Sequence, residues 1–261
     1  MKENKYDDEM FFEKYAQMDR SKRGLEAAGE WAALRPMLPD FHGKRVLDLG
    51  CGYGWHCEYA AENGALSVTG VDISEKMLAK AQERTKHDNV RYIRAAIEDA
   101  DFPPESFDVV LSSLALHYVA DFGLVAKKVR RFLSAGGTFI FSAGHPVFTA
   151  QGAQQWHYNA DGSIAHFPVD GYYYEGRRDA LFLGEHVVKY HRTLDTYINA
   201  LLANGFELTG FAEPRPTESM LAEIPGMRAE MRRPMRFIIS AGQRGTSTNS
   251  TKHKKLPPRA K

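Results

Sequence analysis

The segment Val46-Leu47-Asp48-Leu49-Gly50-Cys51-Gly52-Tyr53-Gly54 joins an apolar run to an acid and three alternate glycines. Glycines at this spacing let a backbone approach a ligand closely and adopt positive φ. A helix starting just after them would offer unpaired N–H groups. A dinucleotide loop would read Gly-x-Gly-x-x-Gly. Here the position of its third glycine holds Trp55, where a pyrophosphate needs the closest helix approach, so NAD and FAD are not expected. Asp48 would hold loop amides or meet a cationic ligand. Asp72 closes the run Val68-Thr69-Gly70-Val71-Asp72, 22 residues after Gly50, and a carboxylate there can accept both hydroxyls of a ribose. Two histidines, His117 and His145, follow later apolar runs.

The elements that must hold these residues alternate in type. Short apolar strands are predicted at Arg45–Leu49, Ser67–Asp72, Val90–Ala95, Phe107–Ser112, Thr138–Ser142, Phe206–Glu213 and Arg236–Ala241. Helices are predicted at Tyr53–Asn63, from an N-cap at Ser74 to about Lys86, at Asp121–Leu133 with Gly136-Gly137 as the break, and at Thr193–Ala203. The rhythm implies a doubly wound α/β fold, a seven-stranded and mostly parallel sheet with helices on both faces. The strands are near-continuous apolar runs, as burial on both faces requires. Residues 1–9 are polar and expected to fray. Beyond them, Phe11, Phe12, Tyr15 and Met18, then Leu25, Ala28, Trp31 and Leu34, recur at helical spacing up to Pro36 and Pro39.

From His145 to Arg192 the composition turns to aromatic, His, Gly and Arg, and short antiparallel strands with a turn at Asp161-Gly162 are expected. The divisions expected are an N-terminal helical lid (1–43), a ligand-binding body (44–145 and 193–242), a β-rich insertion (146–192) and a basic, disordered tail (243–261).

Composition excludes several classes. No window holds 18 consecutive apolar residues, so no membrane span is expected, and the charged first residues do not read as a secretory signal. Cys51 and Cys57 are the two cysteines of 261 residues: too few for a disulfide framework or a zinc site, and suited to a reducing cytoplasm. No metal site is expected. Net charge is +1, but the tail carries six basic residues and no acid, which leaves 28 basic against 33 acidic residues and a net −5 for the body. A nucleic-acid partner is therefore not expected.

Taken together, these residues resemble the class I S-adenosylmethionine (SAM)-dependent methyltransferases, Rossmann-like and of a small bacterial, type 11-like kind, over roughly Tyr6 to Ser240. The Asp48–Gly54 loop and Asp72 match that family's first two motifs. Ala95–Phe107 followed by Asp108-Val109-Val110-Leu111 matches the third, and Leu133–Phe141 the fourth. The segments 114–118, 145–148 and 189–194 are also similar to that group, in which an acid often precedes the His-Pro pair; here that position is Gly144.

The resemblance implies SAM as cofactor and S-adenosylhomocysteine as product. It implies that Gly50, Cys51, Gly52 and Gly54 line the methionine moiety, Asp72 holds the ribose, and Ile73 and Met77 meet the adenine. Ala96 stands where many relatives have an aspartate, which shifts adenine contact to Ile97 and Glu98. Ser113 and Leu114 would lie beside the reactive methyl, with Tyr15 and Arg20 closing over the cofactor. His117 reads equally as a general base or substrate hydrogen-bond partner and as a packed structural histidine; His145 reads as a substrate-pocket residue. The insertion reads as a substrate cap, with Tyr174, Arg177, His191 and Arg192 as its binding residues. The implied activity is methyl transfer to a small-molecule acceptor by a monomer or homodimer. An RNA or protein methyltransferase and a non-catalytic SAM-binding protein are the alternatives. The Asn/Asp-Pro-Pro-Tyr motif used on nucleic-acid amino groups is absent, Leu111-Ser112-Ser113-Leu114 standing in its place.

Overall fold

A computed structural model describes residues 4–243. The chain first forms α1 (Glu9–Ala16), α2 (Asp19–Arg23) and α3 (Trp31–Leu34), with 3-10 turns at Lys5–Asp7, Gly24–Ala27 and Arg35–Met37. The apolar stripe is thus carried by short pieces. Gly24 breaks it at φ +70°, where any Cβ would lie 2.5 Å from the Trp55 ring. The first residues do not fray from Asn4 on: Lys5–Asp7 is an ordered turn docked on the body.

Next come β1 (Arg45–Leu49), α4 (Trp55–Glu62), β2 (Ser67–Asp72), α5 (Glu75–Arg84), β3 (Val90–Arg94), β4 (Phe107–Ser113), α6 (Phe122–Phe132) and β5 (Leu133–Gly144). Ser74 and Asp121 cap α5 and α6 by accepting from the amides of Met77 and Leu124. Strand β5 starts five residues earlier than its apolar run suggests, and Gly136-Gly137 lies inside it rather than after a helix end. The chain then leaves the sheet for α7 (Pro146–Thr149) and two antiparallel hairpins, β6 (His157–Tyr158) with β7 (Ile164–His166) and β8 (Gly176–Phe182) with β9 (Glu185–His191). It returns through α8 (Leu194–Ala203), β10 (Phe206–Ala212), α9 (Glu218–Glu223) and β11 (Arg236–Gln243). Gln243, read from composition as the start of the tail, ends β11 and donates to Leu133 O at 2.6 Å. The rest of the expected tail lies outside the described residues.

The seven-stranded sheet has the order β10-β11-β5-β4-β1-β2-β3, with β11 antiparallel to both neighbours. Alternate side chains leave it on opposite faces. Leu47, Leu49, Phe139 and Phe141 pack under α6 and α8, whereas Val46, Val68, Leu111 and Ile140 pack under α3, α4 and α5. Strand β1 has β4 on one side and β2 on the other, so the connections reverse direction there. In such sheets the crevice at the strands' carboxyl ends is where ligands bind. The loops after β1, β2, β3 and β4 meet at that edge.

Candidate active site

A cavity of about 580 Å³ opens at this edge. At one end it is lined by Gly50, Gly52, Asp72, Ile73, Met77, Ala96, Ile97 and Glu98. Gly50 sits at φ +78°, and a Cβ there would overlap Ala115 Cβ, so only glycine fits. Asp72 is held from two sides, Oδ2 accepting from the Gly52 amide and Oδ1 from the Ser74 amide, both at 2.9 Å. Burial raises its pKa against the pull of these bonds.

Over this end lie Tyr6, Tyr15 and Arg20. The Tyr6 ring packs edge-on to Tyr15 at 5.3 Å, and its hydroxyl lies 3.1 Å from that of Tyr118. Arg20 donates to Glu30 Oε1 at 3.3 Å, and Arg236 Nη1 lies 3.2 Å from Glu30 Oε2. Glu30 is 1% exposed. Burial alone would raise its pKa; Arg20, then Arg236, overcome that and hold it at about 2.

The middle of the cavity is formed by Ser113, Leu114 and His117. Leu114 is held at φ +53° with its amide on Ser142 O at 3.0 Å, a left-handed non-glycine residue at the carboxyl end of β4. His117 is buried, and its Nδ1 accepts from the Gly144 amide at 3.4 Å. Burial first, then the charges of Lys189 and Arg192, keep it neutral with a pKa well below 6.5. The far end belongs to the insertion: Phe148, Gln154, Arg177, Phe182 and Lys189 line it.

Several expected residues lie elsewhere. Asp48 is 1% exposed between β1 and α4, takes a hydrogen bond from Cys57 Sγ at 3.5 Å, and does not line the cavity. Gly54 is the left-handed N-cap of α4, where a Cβ would overlap the Tyr92 hydroxyl, and it does not line the cavity. Cys51 lines only a recess of about 60 Å³ behind the loop. His145 turns away from the cavity, its Nδ1 capping α7 at the Val147 amide and its Nε2 2.9 Å from Glu213. Tyr174 is 81% exposed. His191 ends β9 and is buried between Thr149 Oγ1 and Tyr172 O, at 2.8 and 2.9 Å. The Arg192 guanidinium donates to the carbonyls of Val119 and Ala120 and holds the turn carrying His117.

Glu30 was not singled out by residue type, and Lys189 entered only within the segment 189–194. Lys189 has a legible signal: Val187, Lys189 and His191 are alternate residues and share the buried face of β9, so a lysine stands on an apolar face. Glu58, Glu62 and His87 place ligand-type atoms within 4.8 Å of one another, but none lines the cavity.

Comparison with known proteins agrees with this geometry. A family model described as a methyltransferase domain matches residues 47–141. A crystal structure of a candidate SAM-dependent methyltransferase from Listeria monocytogenes is 52% identical, with a TM-score of 0.81, over 85% of this chain and 99% of its own. A SAM-dependent methyltransferase structure from Mesorhizobium loti is 43% identical, with a TM-score of 0.79, over 84% of this chain and 100% of its own. An uncharacterised protein of Haemophilus influenzae is 33% identical over 89% of this chain and 94% of its own. Curated relatives that carry a methyltransferase name, O-methyltransferases of fatty acids and of malonyl-acyl-carrier protein among them, are matched over 36–55% of their own length. The glycine cradle at the sheet's switch point and two full-length likenesses lead to one assignment: this chain belongs to the SAM-dependent methyltransferases and uses SAM as its methyl donor.

Proposed function

We propose that the chain transfers the SAM methyl group to a small-molecule acceptor that enters beneath the 146–192 insertion. The observation that carries this is continuity: one cavity runs from Asp72 to the inner face of the β8–β9 hairpin. Its volume, about 580 Å³, lies within the range of small-molecule sites. The insertion thus serves as a cap, and the net −5 of the body favours a small acceptor over a nucleic acid.

When bound, SAM supplies an electrophilic methyl on a sulfonium leaving group. The chain's task is alignment, which supplies about 7–11 kcal/mol in well-oriented reactions. Gly50 and Gly52 seat the donor's amino-acid portion. Asp72 accepts the ribose hydroxyls, and Ile73, Met77, Ala96, Ile97 and Glu98 surround the adenine. Arg20 and the rings of Tyr6, Tyr15 and Tyr118 close over it, aromatic faces tolerating positive charge. With Nδ1 engaged by Gly144, His117 presents Nε2–H to the acceptor as an orienting donor, not as a base.

Calorimetry with S-adenosylhomocysteine tests the cofactor half: Asp72→Ala should weaken binding by about 10–100-fold, as loss of charge-assisted hydrogen bonds does. The acceptor half is tested with labelled SAM and a cell extract separated by size. Label is expected in the small-molecule fraction; label confined to RNA or protein would overturn the reading.

A further inference from the structure

Five cationic side chains line the cavity among the described residues: Lys5, Arg20, Arg177, Lys189 and Arg236. Four have carboxylates. Arg20 and Arg236 share Glu30, Lys5 lies 3.6 Å from Glu185, and Arg177 lies 2.9 Å from Asp179. Lys189 is 8% exposed and pairs with no acid among the described residues. Its Nζ donates to Gln154 Oε1 at 3.3 Å and stands 5.3 Å from the centre of the Phe182 ring. The other end of that amide, Gln154 Nε2, is buried without a hydrogen-bond partner. Gln154 is itself held at φ +53°.

An ammonium withdrawn from water without a counter-ion is costly, and so is a buried N–H₂ without an acceptor. Here both costs fall at the same spot, on the insertion side of the cavity, where the Lys189 charge also acts on His117. Burial brings the lysine down to about 8, and no acid opposes the fall. One group cures both defects: a planar anion with two oxygens, one for Lys189 Nζ and one for Gln154 Nε2. A phosphate dianion would bring a third oxygen and a second charge that these two donors do not meet.

We propose that Lys189 and Gln154 form a carboxylate clamp, so that the methyl acceptor is a small molecule bearing a carboxylate next to an apolar body. Phe148, Phe182, Val187 and Met235 supply the apolar wall. This rests on the reading of the insertion as the acceptor's cap, and the donor end of the cavity is measured separately.

The test uses the full chain saturated with S-adenosylhomocysteine and calorimetry with matched probes: benzoate and benzamide, hexanoate and hexanamide, and inorganic phosphate. Carboxylates should bind at least tenfold more tightly than their amides. Lys189→Met should abolish that preference and Gln154→Leu should cut it severalfold, with S-adenosylhomocysteine affinity unchanged in both. Equal binding of acid and amide, no carboxylate binding at all, preference for phosphate, or a preference that survives Lys189→Met would each overturn the clamp. Loss of S-adenosylhomocysteine binding in the unaltered protein would instead refute the donor assignment.

Discussion

Asp7 caps a helix that starts 68 residues later: its Oδ1 accepts from Ser74 Oγ at 2.5 Å and from the Lys76 amide at 3.1 Å. The turn that carries Tyr6 over the Asp72 end of the cavity is thereby fastened to α5. Asp7→Ala should weaken S-adenosylhomocysteine binding about fivefold, the usual worth of a cap, as calorimetry at neutral pH would show. Burial opposes the ion, but the hydrogen bonds from Ser74 and Lys76 prevail and lower the Asp7 pKa. The fastening is therefore present above the ordinary carboxylate pKa and lost as pH falls through the lowered one.

Glu30 serves two arginines from different ends of the chain. Glu30→Gln leaves both guanidinium groups without their buried counter-charge and should cost about 3–5 kcal/mol in urea unfolding. Adding Arg236→Met should restore part of that loss. With a folded pKa of about 2, the Glu30 contribution stands in full above about pH 4.5 and declines only as pH falls toward 2. An unchanged unfolding midpoint in Glu30→Gln would refute this account.

Asp48 behaves in the opposite sense. Burial raises its pKa to about 7, Cys57 opposing weakly. A raised carboxyl stabilises fully below its unfolded value, near 4, and the contribution drains away as pH rises through 7. Asp48→Asn should flatten that slope and match or exceed the parent chain at pH 8, an effect of up to about 4 kcal/mol. Because Asp48 stands behind the loop, S-adenosylhomocysteine affinity should change little.

The two histidines should separate in kinetics. His145→Ala removes the cap of α7 and should cost about 1 kcal/mol of stability, with acceptor KM unchanged. His117→Gln should lower kcat/KM and spare S-adenosylhomocysteine binding. Since His117 stays neutral well below pH 6.5, the rate profile should show no inflection near 6.5 that disappears in His117→Gln.

The parallel sheet and the glycine loop were legible because their signals are local: apolar runs of strand length, and a Gly-x-Gly-x-Gly turn between strand and helix. What escaped depends on distant partners. Nothing near Glu30 announces Arg236, which reaches it from the last strand. The direction of His145 is set by Pro146, which starts a short helix that the imidazole caps instead of facing the cavity. On β9 the alternation separates Lys189 from Tyr190, yet only the hairpin's packing shows that His191 is taken up by Thr149 and Tyr172 while Lys189 faces the cavity.

Helix α1 rests on the same hairpin that carries Lys189. Phe11 is fully buried against Ala180 and Val187, and Lys14 reaches Glu185 at 3.2 Å. The elements over the two ends of the cavity are thus joined to each other. Raising α1 would uncover Ala180 and Val187, and displacing the hairpin would remove the seat of Phe11. If the two elements cover donor and acceptor as proposed, a variant that breaks this contact should hasten the release of both, which stopped-flow measurement of each would show.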